Sequence, residues 1–197
     1  MNTITERKFH FLMMLLIFAL LMMAVCSISL GRYYISPVHV VKIILAPLYP
    51  MVQDWSNQAS SVIYTLRLPR ALAAMMIGAA LSLSGASYQS VFKNPLVAPD
   101  MLGVSSGACV GASLCILLGF SQAGVQGGAF VGGLLAVFLA VSIPRIIGKN
   151  SIVMLVLSGI IVSGLTGSLL GIIKYLADSD TQLPAITYWQ LGSLEDF

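Results

Sequence analysis

The sequence predicts an all-α, polytopic membrane helix bundle, and three observations predict it: the composition, the spacing of the charges and the spacing of the small residues. Of 197 residues, 58% are hydrophobic and 9% are charged, with a mean hydropathy of +0.95, whereas soluble domains carry about 25% charged residues. Such a chain takes lipid as its solvent. A helix rising 1.5 Å per residue needs about 20 apolar residues to cross about 30 Å of hydrocarbon, so charge-free intervals count the spans. They give about five, at about 9–31, 71–92, 102–119, 124–143 and 151–173, with segments 32–66 and 174–197 outside the membrane.

The first interval lies between Lys8 and Arg32. It is too long for the h-region of a secretory signal, which has about 7–15 residues, and Val25 before Cys26 does not suit a lipoprotein cleavage site. An uncleaved helix is the expectation. The following segment contains Pro37, Pro47, Pro50, Asp54, Trp55 and Asn57, which excludes a clean membrane helix. Within it Val38–Leu45 is amphipathic enough for a short helix at the outer surface, with Trp55 near the headgroups.

The second interval runs between Arg70 and Lys93, and the fifth between Lys149 and Lys174. The stretch from Met101 to Pro144 has no Lys, Arg, Asp or Glu and is too long for one helix. Gly119, Ser121 and Gln122 offer a turn near its middle, so it is read as two spans. Helices in lipid associate by close packing, which small residues permit. Gly103, Gly107 and Gly111 recur every four residues, as do Gly124, Gly128 and Gly132, and Ser163, Gly167 and Gly171; Gly78, Ser82 and Gly85 add a fourth small face. Simple helix packing is the plain meaning of Gly78, Gly85, Gly103, Gly107, Gly111, Gly128, Gly132, Gly167 and Gly171.

Positive charge favours the cytoplasmic side. With the N-terminus inside, Arg7, Lys8, Lys93, Arg145 and Lys149 are cytoplasmic, while Arg32, Lys42, Arg67, Arg70 and Lys174 are external. The sides tie, and Arg67 with Arg70 causes the tie. Arg7 and Lys8 on the inner flank of the first helix still favour a cytoplasmic N-terminus. Spacing alone leaves Arg67 and Arg70 with two readings: interfacial anchors, or a pair three residues apart on one helical face that offers guanidinium forks to the carboxylates of an external partner. Lys174 and Asp178, at i,i+4, read as a surface pair.

Cys26, Cys109 and Cys115 fall within the spans with no Cys or His at metal-ligand spacing, His10 and His39 are far apart, and the ten methionines follow no metal-binding pattern. No metal, no cofactor and no nucleic-acid partner is expected. The chain has no G-x-x-x-x-G-K-[ST] loop and no catalytic constellation in a span, so no catalytic residue is assigned and enzyme activity is not expected.

The block from Arg67 to Gly111 carries R-L-P-R at Arg67–Arg70, a small-residue helix, N-P-L at Asn94–Leu96 and L-G-V-S-S-G-A at Leu102–Ala108; Trp189–Leu194 adds W-x-x-G-S-L. This order resembles the permease family of ATP-driven importers for iron siderophores, haem and cobalamin. The resemblance implies a transmembrane permease subunit in a bacterial or archaeal cytoplasmic membrane, forming part of a translocation pathway. It implies cytoplasmic ATP-binding subunits, an external periplasmic or lipid-anchored substrate-binding protein and a second permease subunit as partners. It places binding-protein docking at Arg67 and Arg70. The cytoplasmic gate falls at Asn94 and Leu96 by matched motif, and at Asn150 and Ser151 by loop position.

Family members continue beyond the match with about five further helices, out of about ten, and a segment that contacts the ATPase. A fragment, a truncated gene or a pathway completed by a second polypeptide are the three readings of that difference. Two other functions remain in view. A non-transporting remnant or assembly subunit fits a short chain; a channel or ion-coupled transporter calls for ionisable residues within the spans, where His10 at an edge is the nearest.

Overall fold

The computed structural model describes residues 3–49, 52–95, 97–148 and 151–194. Eight α-helices follow in order: α1 Thr3–Ser29, α2 Pro37–Leu45, α3 Asn57–Ser61, α4 Leu68–Phe92, α5 Val104–Leu117, α6 Gln122–Ile147, α7 Ile152–Leu176 and α8 Gln182–Leu191. No strand occurs among the described residues, and the fold is an all-α, polytopic membrane bundle. Among the described residues, four helical stretches are long and apolar enough to cross a membrane: Arg7–Ser29, Asn57–Phe92, Gln122–Ile147 and Ile152–Leu176. The chain forms two compact units, which meet within α4: one runs to Gly78 and the other from Ala79 to Ser193.

In the first unit, α1 contains neither proline nor glycine and exposes Phe11, Met14 and Phe18, as a lipid-facing helix does. Pro37 opens α2, where its missing N–H costs nothing. Val40 and Ile43, three residues apart on α2, are buried with Ile28, Ile35, Ala59 and Ile63. Ser56 caps α3 by accepting the Ala59 N–H at 3.1 Å.

The helix expected over 71–92 extends much further back, because α3 and α4 are joined by a π-helical turn at Val62–Arg67. There the Leu68 N–H bonds to the Ile63 carbonyl, five residues back. Pro69 explains the widening: it has no N–H to donate, and its ring collides with the carbonyl four residues earlier in an ordinary α-helix. Pro69 is thus carried inside a 36-residue helical stretch.

In the second unit, α4 ends where Lys93 adopts φ +48. The Asn94 N–H bonds to the Gln89 carbonyl at 3.2 Å, and Pro95 bars Asn94 from continuing the helix. The stretch expected as a helix over 102–119 divides into a 3-10 turn, Pro99–Leu102, and the 14-residue α5. Gly103, at φ +75, makes the break, a left-handed conformation that costs a residue with a Cβ about 1–2 kcal/mol. Gly148, at φ +74, ends α6 likewise. Helix α8 is held by Gln182, which donates to the Leu117 carbonyl at the end of α5 (3.1 Å), and by Lys174, which donates to Gln190 (2.5 Å). Lys174 therefore pairs with Gln190, and Asp178 instead accepts the Thr181 hydroxyl (2.8 Å) and amide (2.9 Å) ahead of α8, bonds that lower its carboxyl below the usual range.

Candidate functional site

Several of the residues singled out by the sequence gather at three places: the arginine corner, the turn after α4, and the glycine contact between α5 and α6. At the corner, Arg67 ends the widened turn and is half-buried. Its Nη1 donates to the carbonyls of Ile28 (2.7 Å) and Ser29 (3.2 Å), and its Nη2 to that of Tyr33 (2.5 Å). The first two are among the last carbonyls of α1, which have no intrahelical partner and carry the negative end of the helix dipole. Arg70 lies three residues on in α4 and is also half-buried. The sequence did not foresee that Arg67 turns its fork on the chain itself.

The same unit holds a charged tie between α2 and the following loop. Lys42 donates to Asp54, and His39 Nε2 lies 3.8 Å from the same carboxylate. The Lys42 hydrogen bond, with its charge, holds the Asp54 carboxyl below the usual carboxylate range. A carboxyl whose folded pKa is depressed contributes stability above its unfolded value, near pH 4, and loses it as pH falls through the folded value. Amide exchange across residues 37–49 should therefore quicken as pH falls below about 4, after correction for intrinsic rates. Asp54→Asn should exchange faster at pH 7 and show no such acid step; an unchanged acid step in that variant would remove Asp54 as its source.

Of the four gate candidates, Leu96 and Asn150 lie outside the described residues. Asn94 sits in the turn that closes α4, and its carbonyl accepts the Val97 N–H at 3.4 Å. Ser151 caps α7, accepting the Met154 N–H at 3.2 Å. Between the second half of α4, the 3-10 turn, α6 and α7 lies a groove of about 610 Å³, lined by Leu83, Ser87, Tyr88, Leu102, Val137 and Leu155 among others. Its described walls are mostly apolar.

The glycines separate into those that meet backbone and those that do not. A methyl group built on Gly107 would lie 2.6 Å from the Gly132 carbonyl oxygen, and one on Gly111 would collide with that of Gly128. The reciprocal clashes, of Gly128 with Gly111 and Gly132 with Gly107, show that α5 and α6 run antiparallel with their backbones touching. A Cβ on Gly103 would face α7 instead, 3.0 Å from the Ser163 hydroxyl, while one on Gly85 would have only the Pro99 ring near 4 Å. A Cβ on Gly78, Gly167 or Gly171 would meet nothing within 4 Å. Gly159 was not singled out, yet a methyl there would collide with the Met101 carbonyl, making it the point where the 3-10 turn docks on α7. Its signal was available: Gly159 precedes Ser163, Gly167 and Gly171 at the same four-residue spacing.

These helices and turns are shared with known proteins. The model of the FecCD transport family matches residues 15–197. The chain is 36% identical over 174 residues to the molybdate import system permease protein MolB of Haemophilus influenzae, covering 88% of this chain and 51% of that one. It is 41% identical over 138 residues to a probable iron chelatin transport system permease protein of Helicobacter pylori, covering 70% and 41%. Its fold is similar to a solved structure described as an inward-facing conformation of a putative metal-chelate type ABC transporter, with a TM-score of 0.76, 34% identity, and coverage of 96% of this chain and 55% of that one. The chain thus spans about half the length of the relatives it matches. On this evidence it belongs to the FecCD transport family.

Proposed function

We propose that the chain supplies part of the translocation pathway of a binding-protein-dependent ABC importer, in a bacterial or archaeal cytoplasmic membrane. The observation that carries this reading is the family match over residues 15–197. The machine divides its labour. Cytoplasmic ATP-binding subunits hydrolyse ATP, an external binding protein delivers substrate, and a second permease subunit completes the pathway. The proposed topology has five crossings, four by the long helices α1, α4, α6 and α7 and one by the shorter α5 together with the 3-10 turn before it, with the N-terminus cytoplasmic, as Arg7 and Lys8 favour.

In that orientation the corner with Arg67 and Arg70 is external, and the two loops that carry the gate candidates, Asn94 with Leu96 and Asn150 with Ser151, are cytoplasmic. The substrate class is a metal-containing small molecule. Relatives named for iron chelatin and for molybdate support the class, and their difference leaves the individual substrate to be assigned by uptake.

Docking at the arginine corner tests the reading without transport. Arg70→Glu sets like charges against an acidic docking surface, and binding-protein affinity for permease in nanodiscs should fall about tenfold or more at ~0.15 M salt. An affinity unchanged at both low and moderate salt would remove Arg70 from the docking surface.

A further inference from the structure

We propose that Arg67 is a latch that positions the α1–α2 corner: its guanidinium is the C-terminal cap of α1, supplied from a helix about forty positions later in the chain. Two nitrogens of one planar fork reach three carbonyls on both sides of the turn, those of Ile28 and Ser29 at the end of α1 and that of Tyr33 beyond it. The Ser29 hydroxyl closes the same corner by donating to the Ile35 carbonyl, immediately before α2. Gly31 leaves room for the latch: a Cβ there would lie 2.6 Å from Arg67 Nη2, so the guanidinium would have to shift to admit one.

The chemistry selects arginine. A helix C-terminus carries about half a negative charge on carbonyls without partners, and a cation bonded to them is favourable. A lysine ammonium supplies the charge, but it is a point donor on a flexible stem and cannot span carbonyls on two sides of a turn as a rigid fork does. The widened turn before Pro69 is part of the same device, because it places Arg67 as its last residue. With both Nη atoms on the chain's own carbonyls, Arg67 sets the geometry of the corner, whereas Arg70 carries the outward role proposed above.

Hydrogen–deuterium exchange of the permease in nanodiscs, with no binding protein present, tests this separately from docking. In Arg67→Gln the segment 27–36 should exchange at least tenfold faster, while 122–147 keeps its protection. Arg67→Lys, which preserves charge and bulk, should also lose protection over 27–36 and so provides a folded variant if the Gln substitution disturbs assembly. The same experiment on Arg70→Gln should leave 27–36 unchanged. Wild-type exchange over 27–36 in both Arg67 variants would overturn the latch, and full protection in the Lys variant would overturn the requirement for a fork.

Discussion

Gly111→Leu should separate α5 from α6 and destabilise the protein by about 2–3 kcal/mol, or prevent its accumulation in the membrane altogether. The reason is the kind of atom the new side chain would meet. A clash with a flexible side chain is relieved by a rotamer change, but the atom facing Gly111 is the main-chain oxygen of Gly128, fixed within α6. Relief requires the helices to move apart. In lipid no hydrophobic drive compensates for that, since acyl chains are as apolar as leucine and the association rests on close packing.

Loss of the contact spreads along the pair, because Gly107 with Gly132 lies one turn away on the same seam, and Ala112, Val125 and Ala129 are buried beside it. Gly167→Leu is the matched control. It adds the same bulk to a glycine of α7 where a Cβ has open space, and its effect should stay within about 0.5 kcal/mol. Thermal melting in detergent, read alongside the membrane level of each variant, compares them. Equal losses for Gly111→Leu and Gly167→Leu would mean that generic helix crowding, and not the α5–α6 backbone contact, governs stability.

The comparison between Gly111 and Gly167 also shows what a four-residue spacing can and cannot say. The spacing identifies a smooth face on a helix but not the partner of that face. Gly103, Gly107 and Gly111 are equivalent in the sequence, yet Gly107 and Gly111 meet α6 while Gly103 breaks the chain and faces α7. Helix existence follows from charge-free length, which is why α1, α6 and α7 lie close to the intervals counted for them.

Boundaries set by special backbone were harder to read. The interval counted from residue 71 misses the helix before Pro69, because a π-helical turn that absorbs a proline leaves no separate mark in the sequence. The bonds of Arg67 were not legible, because its partners are main-chain carbonyls, which no pattern of residue types reveals. The turn at Asn94 was legible, since Asn-Pro restricts the backbone locally and needs no distant partner.

The second large effect is on transport. In proteoliposomes that hold the permease carrying this sequence, its ATP-binding subunits and its binding protein, substrate should accumulate only when ATP and binding protein are both supplied. Gly111→Leu should abolish that accumulation, while Gly167→Leu should retain it. The physical basis is the division of labour proposed above, in which separate subunits hydrolyse ATP and deliver substrate.

Accumulation in these proteoliposomes is the most direct test of the importer reading, with iron chelates, haem, cobalamin and molybdate offered in parallel. The expected result is uptake of one substrate class that is lost on omission of either ATP or the binding protein. Uptake that persists without ATP, or that follows an imposed proton or sodium gradient, would contradict it.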